Sequence, residues 1–302
     1  MVMFVPPPVV LPSTPFTRAM ARDAGLTTWQ LRQLLEQGRV RRVLHNVYVR
    51  SEAEDSVTLR AQAAGLVVNP FVVICDRTAA WLHGVDVLEQ HEHEVLPPLE
   101  TFSLRGETRP QRRGCSRGQR DLAPGDITVV GAVKVTTPLR TALDLGCRLS
   151  RRDGLAALDG FARTCGVTRA ELEAELPRYR RRRGVVRLRQ VVPLVDGRAE
   201  SPSESWVRLD IADAGLPKPE LQWWVLDDDG RPVFRLDLAY PLSKVAVEYD
   251  GIEFHGSDEQ RAADAARREW LRARGWTVIV VTKGCFKGPA LDSWLSDLRR
   301  AL

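Results

Sequence analysis

Two carboxylates eleven positions apart can do chemistry: Asp237 in VFRLDLAY and Glu248 in KVAVEYDG. Both segments alternate apolar and polar residues, as half-buried strands do. If Pro241 to Lys244 is a four-residue loop, Tyr240 pairs with Val245 and Leu238 with Val247, and the apolar faces coincide. Phe234, Leu236, Leu238 and Tyr240 then share one face. Asp237 falls opposite Glu248, and Arg235 opposite Asp250. Carboxylates facing each other across strands repel unless a proton or a cation intervenes. Mg²⁺, with Mn²⁺ as a substitute, suits such oxygen donors, and it can activate water against a phosphodiester. For an arbitrary hairpin, a solvent-facing pair balanced by Arg235 is the plainer outcome. Here EYDGIEFHG adds Asp250, Glu253 and His255 just past the strand, which turns the reading toward a metal site. A cation held between Asp237 and Glu248 is the expected arrangement.

The elements that must position these groups follow from caps and stops. Ser201-Pro202-Ser203-Glu204 begins a helix that Gly215 ends, and Glu204 either completes the cap or reaches the carboxylates. Strands are expected at 221–226, 232–240 and 244–250. A helix from about Asp258 to Gly275, the buried strand WTVIVVT and a last helix from Ala290 complete an α-β-β-β-α-β-α order. Trp223, Trp224, Trp276 and Trp294 are assigned to the core. Asp264 and Arg268 are read as a surface ion pair, and His83 as structural.

The front of the chain has a different character. Thr27 with Gln30 forms a capping box, and Leu26 with Leu31 a hydrophobic staple. That helix ends at Gly38, and RVRRVLHNVYVR reads as two strands around His45-Asn46. Helix, turn, helix and basic hairpin is the order of a winged helix-turn-helix. The 302 residues carry a net charge of +5. From Ser201 onward 14 Lys/Arg face 17 Asp/Glu, against 30 and 22 before it, so a basic front joins an acidic back. The candidate nucleic-acid contacts are Arg32, Arg39, Arg41 and Arg42, then Arg112 and Arg113 in an arginine-rich loop. Arg181 and Arg182 follow in RYRRRRG, and Lys283 stands at the end of the last strand. No apolar run is long enough to span a membrane, and five scattered cysteines without metal spacing fit a reduced, cytoplasmic protein. The expected organisation is an extension over 1–16, a winged helix over 17–85, a mixed middle region over 86–198 with a linker at Val195–Arg198, and a last domain over 199–302.

RLDLAYP, VAVEYDGIEFHG and AADAARREWLRARGWTVIVVT resemble the PD-(D/E)xK nuclease superfamily, in its branch related to very-short-patch repair endonucleases. The resemblance implies a restriction-endonuclease-like fold in which Asp237 and Glu248 hold Mg²⁺. Asp250 or His255 would complete the site, and Glu204 would reach it. Asp250 stands where the motif has lysine, and His255 or Lys283 would supply the missing function. GLTTWQLRQLLEQGRVRRVLHNVYV and VTTPLRTALDLG resemble AbiEi-type antitoxins, which implies a winged helix on operator DNA and a cognate toxin as partner. Together they describe an α+β multidomain protein that cuts duplex DNA with Mg²⁺ in phage defence or repair. The alternatives are a non-enzymatic antitoxin and autorepressor, with the missing lysine in its favour, and a nuclease acting on RNA. The sequence does not set the oligomeric state.

Overall fold

The computed structural model describes residues 11–87, 98–104, 115–251 and 258–302. The chain forms two compact units, Met1–Leu145 and Gly146–Leu302. No helix among the described residues is long and apolar enough to cross a membrane.

The first unit opens with β1 (Phe16–Thr17), α1 (Arg18–Asp23) and α2 (Thr28–Glu36), followed by β2 (Val40–Leu44) and β3 (Val47–Arg50). The capping box at α2 is present: Thr27 Oγ1 accepts from the Gln30 N–H, and Gln30 Oε1 from the Thr27 N–H. Leu26 and Leu31 are buried with Phe16, Ala21, Val40 and Tyr48, so the staple has a core to close on. Asn46 turns β2 into β3 with φ 66°, a left-handed conformation that asparagine tolerates. The three strands run in the order β1-β3-β2.

Next come α3 (Val57–Gly65), β4 (Val72–Ile74), α4 (Asp76–Leu82), β5 (Leu99–Leu104), β6 (Cys115–Arg120), β7 (Ile127–Val130), β8 (Val133–Thr136) and α5 (Pro138–Arg148). The strands make a second, mixed sheet in the order β6-β5-β4-β8-β7. One core joins the two sheets: Val43, Val47 and Val49 pack with Leu59, Ile74, Leu82 and Val135.

The second unit begins with α6 (Arg151–Cys165), α7 (Arg169–Glu175), α8 (Val185–Val191) and α9 (Pro202–Asp213). The expected linker, 195–198, lies inside it, where the Asp196 N–H donates to the buried Asp159 carboxylate. Then follow β9 (Glu220–Leu226), β10 (Pro232–Tyr240), β11 (Val245–Asp250), α10 (Asp258–Ala273), β12 (Thr277–Thr282) and α11 (Gly288–Ala301). The sheet order is β12-β11-β10-β9, with β11 and β12 parallel and the other pairs antiparallel.

The hairpin has the register that parity demands, Tyr240 on Val245 and Leu238 on Val247. These four residues pack with Val207, Ile211, Trp294 and Leu298 on one side of the sheet. Leu236, with Phe234 packed beside it, departs from the expected face and joins Val225, Ala239, Ala246, Leu271 and Trp276. Regular β10–β11 pairing ends at Leu238, so the alternation switches across Asp237. β9 is one of the two edge strands, β12 the other. Trp223 and Trp224 on β9 are 39% and 50% exposed, a correction to their expected burial, whereas Trp276 and Trp294 are buried. Alternation along a strand does not say which stretch of it another layer covers.

Candidate functional site

Asp237 stands at the point where β10 leaves its partner, and its carboxylate accepts from the Tyr249 N–H. Burial raises its pKa, the neighbouring Glu248 raises it further, and Arg267 and Arg235 work against both. Glu248 is buried on β11, and burial raises its carboxyl despite Arg267 alongside. Arg267 grips it as a fork, Nη2 on Oε1 at 2.6 Å and Nη1 on Oε2 at 3.0 Å. Asp264 and Arg268, read as a surface pair, act on Glu248 with opposite signs.

Glu204 combines both of its expected roles. Its N–H donates to Ser201 Oγ as the cap requires, while its buried carboxylate accepts from the Glu200 N–H at 2.9 Å and Gln222 Nε2 at 2.8 Å. Burial raises its pKa, and the Asp237 charge adds to that. Glu204, Asp237 and Glu248 thus form one electrostatic group. Arg235, expected opposite Asp250, instead bonds Glu200 at 2.6 Å and lies over the Trp224 ring. Asp250 pairs with Thr282 at the end of β11, next to the exposed Lys283. Glu253 and His255 lie outside the described residues.

The described side chains show how far the carboxylates are already committed. No three of their His, Cys, Asp or Glu groups are arranged to hold a metal ion. Mg²⁺ requires near-octahedral oxygen donors. Glu248 spends both oxygens on Arg267, and one oxygen of Glu204 already accepts two N–H bonds.

The basic groups sit on identifiable elements. Arg32 projects from α2 and pairs with Glu36 at 2.9 Å, on the same helix face as Trp29, which is 68% exposed. Arg39 and Arg42 are exposed on the β2–β3 ribbon, while Arg41 turns back to the Ala53 carbonyl. In the second unit Arg181 adopts φ 67°, and Arg182 lies 4.6 Å from the Tyr179 ring centre. This loop is pinned at Gly184, where a Cβ would meet the Cys147 carbonyl oxygen at 1.9 Å. Arg112 and Arg113 lie outside the described residues.

Sequence reading missed a buried ionic network in the first unit. Arg120 forks onto Asp76 at 2.7 and 2.8 Å and reaches Asp144 at 3.0 Å. Arg140 joins Asp144 at 2.8 Å to Asp126 at 2.7 Å. Arg140 and Asp144, four apart on α5, were its only local signal. His83 is structural as expected, its Nε2 donating to the Thr136 carbonyl at 2.7 Å.

Residues 72–194, which include this network, match the AbiEi antitoxin C-terminal domain. The chain is 32% identical over 256 residues to the uncharacterized proteins Rv2248 and MT2308 of Mycobacterium tuberculosis, covering 85% of this chain and 90% of theirs. The crystal structure of the RV2827C protein from the same organism aligns with 64% of this chain and 75% of its own, at 13% identity and a TM-score of 0.32. By its 32% identity to these two mycobacterial proteins over 85% of its length, the chain belongs to their family, with an AbiEi antitoxin C-terminal domain match within it.

Proposed function

We propose that this protein is a DNA-binding antitoxin that represses its own operon and is partnered by a cognate toxin. The AbiEi antitoxin domain match carries the reading. The first unit supports it, because α1, a short turn, α2 and the β2–β3 ribbon follow the order of a winged helix. In this reading α2 lies in the major groove with Trp29, Arg32 and Gln33 toward the bases. Arg39 and Arg42 meet phosphate from the ribbon, and Arg181 and Arg182 offer a further basic loop in the second unit.

Anisotropy titrations with a duplex from the protein's own promoter, against a scrambled duplex, test this. Phosphate contacts from Arg39 and Arg42 predict a contribution of about −1.8 to the log–log salt slope, which Arg39→Ala with Arg42→Ala should remove. Equal affinity for both duplexes, unaffected by the double variant, would sink the DNA reading. Rescue by this protein of cells that express a candidate toxin from the same operon tests the partner. Cleavage of supercoiled plasmid with Mg²⁺ or Mn²⁺ is expected to be absent. Cleavage that Asp237→Ala abolishes would return the nuclease reading.

A further inference from the structure

We propose that Arg267 is the built-in cation of the Glu204–Asp237–Glu248 cluster, standing where sites of this donor chemistry take a divalent ion. Opposed carboxylates on a sheet need a proton, a bound ion or a fixed positive group beside them. The described geometry contains the third. Arg267 meets both Glu248 oxygens, and its Nη2 also donates to the Arg235 carbonyl at 2.9 Å. One guanidinium therefore ties α10 to β10 and β11 together. Its Cζ lies 5.6 Å from the Phe234 ring centre, and Phe234 packs edge-on against Trp270 at 5.2 Å. The guanidinium is thus oriented by its own helix and by the strand it serves.

A guanidinium and a metal ion compete for these oxygens. The fork uses the acceptor positions an ion would need, and two cations a few ångströms apart repel. The second unit consequently offsets part of the cluster's negative charge with a fixed guanidinium. This inference does not depend on the antitoxin reading.

Thermal unfolding of the full chain tests it, in EDTA or in millimolar Mg²⁺ or Mn²⁺ at matched ionic strength. Wild type should be indifferent to the metal. Arg267→Gln should melt about 5 °C lower in EDTA and regain at least half of that loss in either metal. Adding Glu248→Gln to Arg267→Gln should restore stability in EDTA and abolish the metal response, because neither charge is then left alone. The inference is overturned if wild type is stabilised by the metals. It is equally overturned if Arg267→Gln matches wild type or ignores both metals, or if the double variant melts with the single one. Should Arg267→Gln fail to fold, Mn²⁺ electron paramagnetic resonance on wild type decides. An undiminished free-ion signal at stoichiometric protein upholds the assignment, and a quenched one refutes it.

Discussion

Arg120 shows what a buried charge demands of its neighbours. Asp76 is fully buried and held by the fork of Arg120, with Asp144 as a second acceptor. Arg120→Met would strip the buried Asp76 of its guanidinium fork, and chemical denaturation should show a loss of about 3–5 kcal/mol. Asp159 gives a cleaner signature in pH. Burial raises its pKa to about 6 from 3.8, although Arg208, the Asp196 N–H and Ser205 oppose the shift. Between those two values the folded chain binds more protons than the unfolded one, so this group's contribution to stability grows as pH falls through 6 toward 3.8. Asp159→Asn should flatten that slope in urea unfolding measured across the range, and an unchanged slope would mean that another group carries it. Gly184→Ala has no room beside the Cys147 carbonyl and would hold alanine at φ 84°. A loss above about 2 kcal/mol is expected, and soluble yield reports it first.

Elements were legible where a local device fixes them. Thr27 with Gln30, Thr168 with Glu171 and Ser201 with Glu204 all cap helices in the structure, and Thr27→Ala should cost about 1 kcal/mol of stability. Trp29→Ala should leave stability unchanged, since the ring is 68% exposed. On the antitoxin reading it should also narrow the gap between promoter and scrambled duplex. The carboxylate strands were legible to their register, because one residue of slip would invert every apolar side chain. Parity failed at Leu236, where the two strands stop pairing, and it could not place Trp223 and Trp224, whose burial depends on layers rather than alternation. Arg267 escaped notice because it comes from a helix nineteen positions beyond Glu248 and looks like one more surface arginine. α6 was passed over although Ser150 caps it and its buried face includes Leu155, Leu158 and Phe161.

At the scale of the molecule, the units dictate how the chain can be divided. A cut after residue 85 would take β4 out of the middle of its sheet and split the core that Val43 and Val47 share with Val135. A fragment beginning at Gly146 follows the unit boundary, which falls inside the last turn of α5. It should unfold cooperatively by calorimetry and lose promoter discrimination, whereas one beginning at residue 86 should precipitate. The ionic network belongs to this scale too, since Asp76, Arg120, Asp126 and Arg140 come from distant stretches that only the folded sheet brings together. The edge strand β9 carries a different kind of consequence. It ends its sheet with Trp223, Trp224 and Leu226 partly open to solvent, an arrangement that invites another chain to add a strand. Gln222 breaks the strand's regularity at φ 55°, and Asp227, Asp228 and Asp229 crowd the adjoining turn with negative charge. Keeping the protein in solution is therefore a task assigned to one kinked glutamine and three aspartates, and the shelf life of a concentrated sample depends on them.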